Sequence, residues 1–166
     1  MNPRHLPSAP PTAVARLLPL LSCLVLLAGF EPRDVHLIPQ GYVGPVLIVF
    51  DDPRGERVDP ARREYRIPPG GVLHVSADGE SPHREVFYTV SASGERTLLP
   101  TEEDARPGLQ VYGVHRGEVA TFRASAGGAA QQRLRYQVYL VGDPREGTDW
   151  EEEVERRLDA AWERLR

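Results

Sequence analysis

Val46-Leu47-Ile48-Val49-Phe50 is five apolar residues in a row, cut off by Asp51-Asp52-Pro53-Arg54-Gly55. A run this short and unbroken, rich in β-branched residues, suits a central strand covered on both faces. The stop follows from chemistry: proline cannot donate to a sheet ladder, and Asp and Gly favour turns. Outward from this strand the chain keeps the same grammar. Tyr65 and Ile67 alternate with Glu64 and Arg66, and Val72 to Ala77 runs to a hairpin-type Asp78-Gly79. Arg84 to Val90 puts Val86, Tyr88 and Val90 on one face. Gly94 to Leu99 is a short strand ended by Pro100, and Thr101 to Gly108 is an exposed polar loop. Leu109 to His115 and Glu118 to Ala124 form a hairpin around Arg116-Gly117, with a Gly127-Gly128 loop after it. Arg133 to Val141 is the longest alternation, with Leu134, Tyr136, Val138 and Leu140 inward and Arg133, Arg135 and Gln137 outward. Short strands between turn signals predict an all-β sandwich of eight or nine mostly antiparallel strands, immunoglobulin-like or transthyretin-like, over residues 31–147.

The period then changes. Trp150, Val154, Leu158, Ala161, Trp162 and Leu165 recur at helical spacing, which predicts one C-terminal amphipathic α-helix over 148–166. Thr148-Asp149-Trp150-Glu151 has the form of a capping box, and Glu152 with Arg156 and Glu153 with Arg157 are spaced as ion pairs. The helix either packs on the sandwich through Trp150 and Trp162 or projects to grip a partner.

Ahead of the sandwich, Leu17 to Phe30 is uncharged and apolar, with Arg4 and Arg16 before it and Glu31, Arg33 and Asp34 after it. Residues 1–30 therefore read as a signal peptide or N-terminal membrane anchor. Three fates fit: cleavage after Ala28 or Gly29, retention as an anchor, or lipidation at Cys23 within Leu20-Leu21-Ser22-Cys23. In each the charge bias places the domain outside the cytoplasm, so the chain is expected to be secreted, periplasmic or membrane-anchored.

Composition excludes several classes. All 20 basic side chains are arginine, so Schiff-base, Ser-Lys and P-loop lysine chemistry is ruled out. Beyond the leader, the 24 acids face the 20 arginines less Arg4 and Arg16, a net charge of about −6. No basic cluster stands clear of acids, so nucleic acid is not an expected partner. Cys23 is the only cysteine, and the domain beyond it forms no disulfide of its own.

Two segments echo one another. Ile38-Pro39-Gln40-Gly41 leads to Val46-Leu47, and Ile67-Pro68-Pro69-Gly70 leads to Val72-Leu73. Each reads as a type II turn feeding an apolar strand. The block His36 to Val46 (HLIPQGYVGPV), with Tyr65 to Leu73 and Val141-Gly142, resembles the bacterial domain of unknown function 6843. That resemblance implies an extracytoplasmic sandwich behind a signal or anchor, with no activity or site residues to carry over. Gly44-Pro45-Val46 and Tyr65 to Gly70 are also similar to transthyretin-like and carboxypeptidase-regulatory modules, which are sandwiches that bind or scaffold.

Chemistry is sparse. His36, His74, His83 and His115 have no partner at metal-ligand spacing, and the serines lack a nucleophile context. Asp51-Asp52 reads as an ordinary turn, with a calcium site that adds Asp34 or Asp59 as the alternative. No cofactor, no metal and no enzymatic activity is expected. The expected function is an envelope-associated interaction module with a protein partner, touching the membrane only through its N-terminal segment. Tyr42, Gly41 and Gly44 on the entrance turn, Trp150 and Trp162 on the helix, and the 101–108 loop would make the contacts. Two alternatives stay open: a small secreted hydrolase assembled from His and Asp residues such as His74 and His115, and a ligand-binding sandwich with a pocket lined by Trp150, Trp162 and Tyr136.

Overall fold

The computed structural model describes residues 33–79, 83–104, 107–125, 128–147 and 149–165, without the side chains of 121–132 and 165. The leader, Thr148 of the capping box and the side chain of Leu165 lie outside the described residues. Eight strands form two sheets: β1 Arg33–Pro39, β2 Gly44–Phe50, β3 Glu64–Arg66, β4 Val72–His74, β5 Arg84–Val90, β6 Arg96–Leu98, β7 Gln110–Ser125 and β8 Gly128–Gly142. The first sheet has the order β3-β1-β5-β6 and the second β4-β2-β8-β7. One helix, α1 Glu151–Leu165, follows.

The two sheets are mixed, not mostly antiparallel. β1 pairs in parallel with both β3 and β5, and β2 with β4; only β2–β8, β5–β6 and β7–β8 are antiparallel. The reason lies in the echo. Each Ile-Pro segment carries the chain from the first sheet to the second, β1 to β2 and β3 to β4. The strands of such an arch do not pair with each other; two arches stacked side by side pair in parallel in both sheets. Backbone bonds from Ile67 N to Leu37 O and from Leu47 N to Gly71 O hold the stack. The first turn closes from Tyr42 N to Pro39 O with Gly41 at φ +80°, as a type II turn requires. The second closes from Gly71 N to Pro68 O, and there the left-handed residue is Gly71 itself, at φ +75°. Parallel central pairs set this sandwich apart from the antiparallel immunoglobulin-like arrangement. Asp78-Gly79 makes no hairpin, because β4 and β5 belong to different sheets.

All seven residues of β2 are buried. Val46, Ile48 and Phe50 face the core between the sheets with Ile38, Tyr65, Phe87 and Tyr139. Leu47 and Val49 face the other way, onto Leu134, Ala161, Leu158 and Trp162. The helix thus packs on the outer face of the second sheet, which is why β2 reads as unbroken apolar sequence. Each such buried side chain is worth about 1.5–3 kcal/mol. Asp149 caps α1 by accepting from Glu151 N at 3.0 Å. Arg156 and Arg157 both turn to Glu153, each at 2.7 Å, so the expected Glu152–Arg156 pair gives way to an i,i+3 bond.

Two strand readings need correcting. β7 runs unbroken through Arg116-Gly117 where a turn was expected. Gly117 lies opposite Tyr136, whose ring covers it so closely that a Cβ there would collide with the ring. The ring supplies the packing that the glycine lacks, so the residue stays in the strand. On β8 the inward residues are Gln137, Tyr139 and Val141, all fully buried, while Leu134 and Tyr136 pack toward α1. Both faces of this strand are covered, so apolar alternation did not mark the inner one.

Candidate functional site

One end of the space between the sheets is polar. Asp34, only 1 % exposed, lies beside Glu85 in the β1–β5 register. Arg63 Nε donates to Asp34 Oδ1 at 2.7 Å, and His83 Nδ1 lies 3.2 Å from the same oxygen. Arg116 ion-pairs with Glu85 and stands 3.7 Å from Asp34 Oδ2. Gln137 Nε2 donates to Glu85 Oε2 at 2.9 Å, and Arg63 donates to the Tyr65 hydroxyl at 2.7 Å. Two carboxylates and two guanidiniums balance, which is the condition for burying them at all.

A bulge builds this layer. Tyr112 pairs with Leu140 and His115 with Val138, so Gly113 and Val114 together oppose Tyr139. Gly113 takes φ +60°, and its N–H donates to Glu102 Oε2 at 3.0 Å. The extra residue shifts the alternation, sending Arg116 inward opposite Gln137 and His115 outward toward Tyr136.

His36 lies deeper, stacked on Phe87 with ring centroids 4.6 Å apart and with Nδ1 3.2 Å from the Tyr139 hydroxyl. Burial pulls its pKa down to about 3, so the ring is neutral. Its Nε2 and the Oε1 of Gln137 have no hydrogen-bond partner among the described residues. Burial also pushes the Tyr139 hydroxyl well above its usual pKa, and burial with the charge of Asp34 raises Tyr65.

Beside this layer a cleft of about 820 Å³ opens between β5–β6 and β7. Phe87, Leu99 and Val111 form its apolar floor, His83 and Arg116 stand at one end, and the 3-10 turn Glu102–Asp104 at the other. Thr101 to Asp104 of the expected polar loop thus form a rim of the cleft. Sequence reasoning weighed His83 and Asp34 singly but did not bring them together, and it missed Arg63, Glu85, Arg116 and Gln137. The available signal was polar residues at alternate strand positions, Asp34 and His36 above all.

The residues singled out from sequence sit elsewhere. Gly41 and Gly44 flank the turn whose Tyr42 hydroxyl donates to Pro45 O and receives Arg157 Nη1 of α1 at 3.2 Å. The Trp150 ring lies over Gly44, where a Cβ would stand 3.6 Å from it. Trp162 packs with Leu47, Val49 and Tyr136 rather than lining an open pocket. These side chains hold α1 to the sandwich. His74 and His115 do not meet: β4 and β7 are the two edges of the second sheet. His74 Nδ1 instead bonds Asp52 Oδ2 at 2.9 Å, with Arg164 Nε 3.6 Å from the same oxygen. Burial and the nearby Arg164 charge lower the His74 pKa. Asp52 is thereby committed to its own turn, to His74 and to the helix end. Among the described residues no three His, Cys, Asp or Glu side chains are grouped to hold a metal ion.

Comparison with curated proteins returns no match. A crystal structure described as a "Putative Lipoprotein from Bacillus anthracis" is similar, with a TM-score of 0.51 and 15% identity, over 81% of this chain and 94% of that one. At that identity the likeness concerns the fold. The model of a family described as of unknown function, DUF6843, matches residues 31–142. That span holds both sheets and the whole polar layer, and the chain belongs to this family.

Proposed function

We propose that this chain is a non-catalytic, envelope-associated module working outside the cytoplasm, and that it binds its partner or ligand in the cleft between β5–β6 and β7. The carrying observation is the cleft itself: about 820 Å³ with an apolar floor and charged groups at both ends. A concave surface with an apolar floor and placed charged groups offers a partner both burial and orientation. The basic, apolar and acidic order of residues 1–34 supports the location, as does the structural likeness to a protein described as a lipoprotein. That likeness adds weight to a tether at Cys23. Val114 stands on the cleft wall and is exposed, so Val114→Trp fills the space without touching the core. Native mass spectrometry of the full chain purified from its own envelope should show a bound species that Val114→Trp loses. An identical spectrum from both proteins would refute the cleft as the site.

A second reading, a hydrolase, draws on His83, which lines the cleft with Nδ1 3.2 Å from the buried Asp34. Asp34 orienting a histidine in a cleft is the skeleton of an acid–base pair. Asp34 also faces Arg63 and Arg116, which favours a structural carboxylate. Turnover of ester or peptide substrates that His83→Ala abolishes would reverse the preference.

A further inference from the structure

The outer faces of the two sheets differ. That of the second sheet is covered by Leu158, Ala161 and Trp162 of α1. On the first sheet, alternation sends Arg33, Val35, Leu37 and Pro39 of β1 outward, together with Arg84, Val86, Tyr88 and Val90 of β5. Glu64 and Arg66 of β3 and Arg96 and Leu98 of β6 flank them on the same face. Arg96 reaches across the sheet to Glu64 at 3.0 Å, and Arg66 meets Glu64 at 3.2 Å, so two cations share one acid over an apolar centre. Arg33 and Arg84 are exposed and adjacent in register. Leu98, 63% exposed, stands at the edge, where it, Arg84 and Val86 also border the cleft.

We infer that this face of the first sheet lies on an anionic membrane surface. Four arginines against one acid surround half-buried Val35, Val86, Tyr88 and Val90, on a chain whose net charge is −4. Arginine with exposed aliphatic and aromatic carbon is the chemistry of the lipid interface: guanidiniums meet phosphates while the stems and apolar side chains enter the headgroup boundary. Only Glu31 and Pro32 separate the apolar run ending at Phe30 from Arg33. A retained apolar run would join this face through two residues, and a lipid on Cys23 would join it through residues 24–32. The inference rests on the extracytoplasmic, envelope-associated reading, and the experiment separates the two.

The test reconstitutes the full chain, as Cys23→Ser, into phosphatidylcholine vesicles with and without phosphatidylglycerol. An environment-sensitive fluorophore is attached at Leu98→Cys or, as control, at Asp159→Cys on the exposed side of α1. The Leu98→Cys probe should shift to the blue and be quenched by brominated lipid in anionic vesicles. Arg33→Glu with Arg84→Glu, or about 1 M salt, should abolish both effects while the chain still floats with the vesicles. A probe at Leu98→Cys that reports water on floating vesicles overturns the face assignment alone. So do equal quenching of the Asp159→Cys probe and a blue shift that needs no vesicles, which would indicate a second copy or another segment covering the face. A chain that does not float on anionic vesicles overturns the inference and, with Cys23 replaced, shows that residues 17–30 do not anchor the chain. A lipid on Cys23 and the extracytoplasmic reading are untouched by that result.

Discussion

Asp34 sits almost wholly buried between Arg63, His83 and Arg116, with Glu85 beside it, so the charge balance of the inner layer turns on this residue. Removing one partner of a buried pair strands the other. Asp34→Ala should therefore lose about 3–5 kcal/mol, read as a lower urea midpoint at unchanged slope. Asp34→Asn tests whether charge or shape matters, and it should recover only part of the loss. His36 gives a pH signature. Its folded pKa of about 3 lies below the ordinary 6.5, so the unfolded chain binds an extra proton between those values. Stability from this residue is complete above about pH 6.5 and falls by about 1.4 kcal/mol per unit as pH drops toward 3. Urea unfolding at pH 7 and pH 4 should show His36→Phe losing about 3 kcal/mol less than the parent across that interval. Neither residue was legible as a site. Asp34 and His36 occupy alternate positions of β1 with Ile38, but an aspartate near the end of a leader reads first as a flanking charge.

At the level of elements, the strands that could be read are those whose covering matches their pattern. β2 is apolar on both faces because it has a sheet on one side and α1 on the other, and β3 shows its one buried tyrosine plainly. What could not be read depends on partners far along the chain. The parallel pairing comes from stacking two arches, and nothing within either arch states that the other lies beside it. The continuity of β7 depends on the Tyr136 ring over Gly117, and its inner face on the two-for-one bulge at Gly113 and Val114. Deleting Val114 should undo that shift, turning Arg116 out and His115 in. The expected outcome is a loss of several kcal/mol, with altered exchange at Glu85 and Gln137 seen by amide NMR. Gly71 tests the attachment of α1. It has φ +75°, and a Cβ would overlap the Tyr42 hydroxyl, Arg157 and Pro45 O. Gly71→Ala should cost about 2 kcal/mol or more and red-shift the fluorescence of Trp150 and Trp162, while the amide pattern of β1 and β5 stays in place.

Across the described residues, two sheets share one core, α1 closes the outer face of the second sheet, and the outer face of the first carries four arginines around Val35, Val86, Tyr88 and Val90. This division gives the module an inner layer that fixes the cleft, a closed back, and a front fitted to an anionic surface. The strand-rich class and the C-terminal helix were legible from the residues alone, since composition and period carry them. The cleft was not, because its walls come from β5, β6, β7 and a 3-10 turn, brought together only by the crossing between sheets. The envelope-associated reading beneath these roles places the domain outside the cytoplasm. The direct measurement is labelling of Asp159→Cys, in the Cys23→Ser chain, with a membrane-impermeant maleimide on intact protoplasts or spheroplasts of the native host. The account predicts labelling before lysis, either on the cells or in the fluid released from them. Labelling that occurs only after the cytoplasmic membrane is broken would contradict it.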